Sequence, residues 1–321
     1  MENREKKPEL QNTPETFRSP LFYVGDKYKL VQEMKTYFPT TINRFVEPFV
    51  GGGSVFLNIK ANEYLLNDID NYVIEIHKFL SSYIGKEEEF YHLIFSIIEK
   101  YNLSFSYKKN SVPPELKQQH KKTYFAHFNR QKFNRLKSNF NSSGGRNMAE
   151  LYVLLIYGFN RILRFNRKNE YNLPVGNVDF NANVFNALSG YFNLNRTKKT
   201  NWYCLDFKHF LESIEYQEND FIYLDPPYLI TCSEYNKLWN ETKEKDLLQM
   251  LDNLNERKVK FAISNVTHYK GKENSRFIDW TKKYVSYQIK SNYISYHDNT
   301  IKKFDEILVT NFDHLKKVKS T

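Results

Sequence analysis

The sequence predicts an α/β protein: a doubly wound sheet interrupted by a basic insert of helical and hairpin character. Three observations predict it. At both ends of the chain, apolar segments of strand length alternate with amphipathic segments of helix length. A glycine-rich turn, Val50-Gly51-Gly52-Gly53, follows the first of those strands. The middle of the chain abandons the alternation for basic residues interleaved with aromatics.

Residues 44–49 (RFVEPF) read as a short buried strand, and 54–60 (SVFLNIK) as the first turns of a helix with Ser54 as its candidate N-cap. Residues 63–68 (EYLLND) read as a second strand. Residues 70–80 (DNYVIEIHKFL) carry apolar positions at helical spacing, with Asp70 assigned as the cap. From 108 to 137 there are nine Lys or Arg against one acid, Glu115, and among them stand Tyr124, Phe125, Phe128 and Phe133. Here the helical signal is broken by Pro113-Pro114, and residues 141–145 (NSSGG) act as a breaker. Residues 150–163 predict an amphipathic helix, and the basic, turn-rich stretch after it a hairpin. Strands are then expected at 202–205, 220–224, 261–264, 284–294 and 306–312, with helices at 206–214 and 242–256.

The net charge of +10 and pI near 9.2 favour a polyanionic partner, although composition alone leaves open a merely Lys-rich chain. Two cysteines, Cys204 and Cys232, make neither a disulfide framework nor a zinc site, and no metal is expected. No apolar run approaches the ~20 residues of a membrane span. The polar residues 1–16 lack a signal-peptide core and read as a disordered lead-in, so a cytoplasmic protein is expected.

Three motifs carry chemistry. A strand ending in Gly51-Gly52-Gly53 lets a ligand approach the backbone, although an ordinary tight turn has the same look. Asp68, at the end of the second strand, is placed to accept hydrogen bonds from both hydroxyls of a ribose. Asp225-Pro226-Pro227-Tyr228 follows an apolar strand. Neither proline has an N–H, so the ladder cannot continue, and a stiff loop forms at the carboxyl edge of the sheet. Asp225 offers a carboxylate, Pro226 a carbonyl and Tyr228 a flat face: two acceptors and a stacking plane, which suit a planar amine.

With these residues in view, the chain resembles the Dam-like, alpha-group, D12 class of DNA adenine-N6 methyltransferases over nearly its whole length, least well at about residues 85–145. The N-terminal family motif appears as Tyr23-Val24-Gly25-Asp26-Lys27, the cofactor motif as FVEPFVGGGS from Phe45 to Ser54, and the acid after the second strand as Asp68. A family segment resembles 158–176, the adenine-side acid corresponds to Asp206 beside Phe207, and Ile263-Ser264-Asn265 and the tail from Lys302 to Leu308 also fit. Tyr23 stands where Trp or another aromatic is usual, and Asp26 where Gly is common. Ser295-Tyr296-His297-Asp298 replaces a Gly-rich approach to the tail motif.

The resemblance implies a Rossmann-like class I methyltransferase sheet with S-adenosylmethionine as methyl donor. Tyr23, Gly25, Lys27, Glu47, Pro48, Phe49, Gly51, Gly53, Ser54, Asp68, Ile69, Asp206, Phe207 and Asp225 would bind it. Asp225, Pro226, Pro227 and Tyr228 would act on N6 of an adenine flipped out of duplex DNA. Residues 17–80 plus 196–321 would form the catalytic domain and 81–195 the target-recognition insert. There Asn160, Arg161, Arg164, Arg167 and Lys168 would contact DNA. A modification enzyme is implied, monomeric, with a cognate restriction endonuclease that forms no stable complex with it. The alternatives are a non-catalytic nucleic-acid-binding subunit of the same fold, or an enzyme acting on cytosine N4 or on RNA.

Overall fold

The computed structural model describes residues 16–109, 112–231, 239–289 and 304–313. Residues 1–15 of the lead-in, Cys232 and the loop at Ser295-Tyr296-His297-Asp298 lie outside them. The expected sheet is present: β1 (Arg44–Glu47), β2 (Glu63–Asn67), β3 (Lys199–Tyr203), β4 (Phe221–Leu224), β5 (Lys260–Tyr269), β6 (Val285–Gln288) and β7 (Phe304–Thr310). Their order is β3-β2-β1-β4-β5-β7-β6, and a two-residue ribbon at Lys272–Glu273 pairs with β5. The first five strands are parallel, while β7 runs antiparallel to both β5 and β6.

Strand alternation explains why both faces are covered. Phe45, Tyr64, Leu66, Phe221, Tyr223 and Leu308 enter one apolar core, and their neighbours Val46, Leu65, Ile222, Leu224 and Val309 enter another. Helices α9 (Phe207–Glu212), α10 (Glu241–Glu256) and α11 (Ser275–Thr281) cover the second face. Helices α2 (Ser54–Asn58) and α3 (Asn71–Ser81) cover the first. Because β1 leads outward to β2 and β3 while β4 leads the other way, the crevice of the fold opens between the carboxyl ends of β1 and β4.

The middle of the chain is more helical than its sequence suggests. Helix α1 (Val31–Met34) precedes β1; beyond α4 (Glu87–Lys100), the middle contains α5 (Pro114–His120) and α6 (Tyr124–Ser142), where broken helical signal was expected. Pro113 and Pro114 do not break a helix here. Pro114 occupies the first position of α5, where a missing N–H costs nothing. Asn129, Phe133, Leu136 and Phe140 form the buried stripe of α6 beneath its basic residues. The helix expected over 150–163 is α7 (Met148–Tyr157), and it is not amphipathic, since every residue from Ala149 to Tyr157 is buried. It ends at Gly158 and packs against α3, α4 and α6. Helix α8 (Ala182–Asn195) packs against α2 and α3. The expected hairpin forms, with Phe165 bridging to Tyr171 and Gly158 to Val175.

Of the two capping assignments, one holds and one does not. Asp70 caps α3, accepting the Tyr72 N–H. Ser54 does not cap α2 but is its first residue. The cap is Gly53, at φ 78°, a left-handed conformation that serine would adopt only with strain. Among the described residues no helix is long and apolar enough to cross a membrane.

Leu154 is fully buried in α7, in the core that the middle helices share with the first face of the sheet. Leu154→Ala is expected to cost about 2–5 kcal/mol in urea unfolding. A loss under about 1 kcal/mol would show that α7 is not the centre of that packing.

Candidate active site

The glycine turn is held from three sides. Tyr23 packs directly across it: a Cβ on Gly52 would fall 2.6 Å from the Tyr23 Cβ. Ser19 Oγ donates to the Gly52 carbonyl. Gly51 has φ 46°, and its N–H donates to Asp68 Oδ2 at 2.9 Å, while Asp68 Oδ1 accepts the Asp70 N–H at 2.9 Å. Asn67 ties three strand ends together. Its Nδ2 donates to the carbonyls of Pro48 and Leu205, each at 3.0 Å, and its Oδ1 accepts the Leu205 N–H at 2.9 Å. Beyond β3, Asp206 caps α9 and pairs with Lys243, while Phe207, Phe49 and Trp239 pack together. Ile69 and Leu205 are exposed beside this wall.

Three acids line the same edge. Glu47, buried at the end of β1, has its pKa raised well above the usual carboxylate range by burial and then by the charge of Asp225, against the pull of the Phe56 N–H. Its Oε2 has no hydrogen-bond partner among the described residues. Asp68 is raised to about 6, chiefly by burial, while the Asp70 and Gly51 N–H groups oppose the shift. A crevice with an unsatisfied buried carboxylate oxygen, a partly buried acid and a glycine turn at its edge fits a ligand bearing positive charge and hydroxyls, as S-adenosylmethionine does. Among the described residues no cluster of three or more His, Cys, Asp or Glu could hold a metal ion.

Asp225, directly after β4, faces Glu47 across the switch point and belongs to a tight cluster. Lys27 Nζ is 2.6 Å from Asp225 Oδ2 and 3.4 Å from Glu306 Oε1. It also donates to the Gly25 carbonyl at 3.2 Å and lies 5.3 Å from the centre of the Tyr228 ring. The Tyr228 hydroxyl is 2.8 Å from Asp225 Oδ1 and 2.7 Å from Glu306 Oε1, and with one proton it donates to one of them at a time. Burial, then the charges of Asp225 and Glu306, raise the Tyr228 pKa well above its ordinary value, so the hydroxyl remains a donor.

A family model described as D12 class N6 adenine-specific DNA methyltransferase matches residues 23–297. The chain belongs to the D12 class family. It is 34% identical over 309 residues to Type II methyltransferase M.FokI of Planomicrobium okeanokoites, covering 94% of this chain and 44% of that protein. It is 32% identical over 318 residues to Modification methylase StsI of Streptococcus sanguinis, covering 95% and 44%. To the DNA adenine methylase of Haemophilus influenzae it is 28% identical over 231 residues, covering 72% and 68%. The chain thus spans a little under half the length of the first two relatives.

In this D12 class chain the five residues expected at DNA are not equivalent. Asn160 and Arg161 both have positive φ, at 52° and 51°. The Arg161 guanidinium lies inward, 4.0 Å from the centre of the Phe22 ring, and burial lowers its pKa to about 10. Arg164 is partly exposed and tied across the hairpin to Asn172, Nε donating to Oδ1 at 2.9 Å. Only Arg167 and Lys168, of the five, are exposed cations at the hairpin tip, and Asn160 is exposed at its base.

Two residues of the site escaped the sequence reading of roles. Glu306 lay within the quoted tail motif, and its only further signal was an acid inside an apolar strand. His77, whose Nε2 is 2.9 Å from the Gly51 carbonyl, occupies a core position of the α3 stripe and looked like packing.

Gly52→Ala forces a Cβ against the Cβ of Tyr23, which no side-chain rotation relieves. It is expected to cost about 1–3 kcal/mol in chemical unfolding. A neutral result would show that Tyr23 does not lie on the turn in solution.

Proposed function

We propose that this chain transfers a methyl group from S-adenosylmethionine to N6 of an adenine flipped out of duplex DNA. The observation that carries the reading is the Asp225 cluster at the β1/β4 switch point, beside the glycine turn and Asp68. Family membership supports the acceptor. When bound, the cofactor supplies an electrophilic methyl group on a sulfonium. Tyr23, Glu47, Gly51, Gly53 and Asp68 would hold it, with Ile69, Phe207 and Asp206 around the adenine side and Phe49, Pro48, Ser54, Gly25 and Lys27 bordering it.

Adenine N6 is a poor nucleophile because its lone pair is delocalised into the ring. Asp225 and the Pro226 carbonyl would each accept one N6–H, drawing the nitrogen toward a tetrahedral shape with its lone pair free. Lys27 and the Tyr228 hydroxyl use one acceptor site on each Asp225 oxygen, and a carboxylate has about four in all. Room for the amine therefore remains, and Lys27 keeps Asp225 oriented. Pro227 stiffens the loop, and the Tyr228 ring offers a stacking face worth ~1–3 kcal/mol. The product proton leaves by Asp225 or water. A paired base is out of reach of such a crevice, which is why flipping is required.

Residues 17–80 and 196–321 are assigned to the catalytic domain and 81–195 to target recognition. Arg167, Lys168 and Asn160 are the best-placed DNA contacts of the hairpin, and Arg164 and Arg161 shape it. The names of the relatives support a modification role; a cognate restriction endonuclease that forms no stable complex with the chain, and a monomer acting on DNA in the cytoplasm, complete the reading.

Radiolabelled methyl transfer to duplex DNA tests the activity. Label is expected in N6-methyladenine, and label in N4-methylcytosine, or in RNA alone, contradicts the assignment. Asp225→Ala should abolish transfer while weakening cofactor binding only in part; normal turnover would remove Asp225 from the mechanism.

Asp68 gives a pH test. Its carboxyl, at about 6 in the free protein, must be ionised to accept two ribose hydroxyls. Affinity for S-adenosylhomocysteine should therefore be flat above pH 7 and fall toward about tenfold per pH unit well below 6. Asp68→Asn should bind weakly and lose that dependence. An unchanged profile in the variant would refute the ribose contact.

A further inference from the structure

We propose that His77 is a positioning residue for the cofactor turn: its ring N–H fixes the Gly51 carbonyl, which keeps the Gly51 N–H on Asp68 and so sets the affinity of the site for the adenosyl group. This rests on the cofactor reading above and names a residue that acts through the turn.

The argument begins with cost. The buried stripe of α3 is Val73, Ile74, Ile76, His77 and Leu80, and a leucine would fill the histidine's place without burying a polar ring. His77 is completely buried. Its Nε2 lies 2.9 Å from the Gly51 carbonyl oxygen, an acceptor, so Nε2 carries the proton and Nδ1 does not. Nδ1 is itself buried with no partner among the described residues. One nitrogen is thus left unsatisfied while the other is spent on one backbone carbonyl, an expense that packing alone does not explain.

The placement of the ring matches that role. It is stacked on Trp202 at 4.5 Å with an 11° tilt, flanked by Tyr191 and met edge-on by Phe56. A Cβ on Gly53 would come within 3.1 Å of its Cε1, so the imidazole lies directly beneath the turn. Gly51 is therefore tied at both ends, its N–H to Asp68 at 2.9 Å and its carbonyl to His77, which pins the left-handed φ of 46°. Burial lowers the His77 pKa to about 4, so the ring is neutral and the tie persists at physiological pH. The acids facing Asp68 are Asp70 and Glu47, and Cys204 is also near. The Gly51 N–H opposes the upward shift that burial imposes on Asp68.

The test is calorimetric titration of S-adenosylhomocysteine into the full chain between pH 5.5 and 8.5, for the wild type, His77→Leu and His77→Gln. If the wild type does not bind, the cofactor reading fails and the positioning role is lost with it. If it binds, His77→Leu should bind about tenfold more weakly at pH 8. Its acid midpoint should also move upward, because Asp68 loses the Gly51 N–H. His77→Gln, which retains a side-chain N–H, should recover part of both, and kcat at saturating cofactor should change little. A folded His77→Leu with wild-type affinity and midpoint overturns the proposal. Should that variant not fold, nitrogen-15 NMR of the wild-type imidazole decides: the neutral Nε2–H tautomer is expected above pH 5, and the Nδ1–H tautomer overturns it.

Discussion

The Lys27 ammonium is buried 2.6 Å from Asp225 and 3.4 Å from Glu306, and its charge also reaches Glu47. These groups come from the N-terminal segment, β1, the loop after β4 and the antiparallel β7. Among the described residues, one cation faces three acids in a place where water does little screening. Such a cluster does not stabilise the fold cheaply, because burying each charge costs several kcal/mol before pairing offsets any of it. Burial is the largest cause of the raised pKa values of Glu47 and Glu306, and the charge of Asp225 adds to it in both. A site with surplus negative charge is tuned for a cationic guest, and the proposed cofactor brings both an ammonium and a sulfonium.

The rest of the strand edge keeps that cluster in register. Asn67 bridges the ends of β1, β2 and β3, so the Pro48, Asp68 and Asp206 regions do not move independently. The glycine turn is overdetermined by Tyr23, Asp68 and His77. Precision at the reacting centre is a matter of tenths of an ångström. A loop with positive φ at two glycines keeps that precision only if its neighbours remove its freedom. The glycines thus permit the shape, and the side chains around them select it.

Most of this edge was legible in the sequence because its signals are local. A strand, a glycine turn, an acid after the next strand and Asp225-Pro226-Pro227-Tyr228 each follow from a few adjacent residues. What was illegible depends on distance along the chain. Glu306 joins Lys27 and Tyr228 from 279 and 78 positions away, and nothing in the apolar tail strand says which face meets them. His77 fits a helical stripe so well that periodicity hides its hydrogen bond. Helix α6 was missed because its four buried positions are matched by four Lys or Arg, and α7 was found but read as amphipathic because a helix buried on every side has no polar face to set its period.

The middle region shows how burial separates residues of one kind. Its aromatic share is mostly structural: Phe90 packs with Tyr83, Tyr91, Tyr152 and Phe192, and Tyr107 stacks on Phe185 at 4.3 Å. The hairpin is fastened by Phe165 lying flat on Tyr72, 3.7 Å between ring centres, in the first turn of α3. That helix also carries Asp70 at its cap and His77 beneath the glycine turn. The exposed cations Arg167 and Lys168 and the cofactor turn are therefore mounted on the same helix. Helix α3 thereby links the two, as the proposed methyl transfer to a base chosen by distant contacts would require.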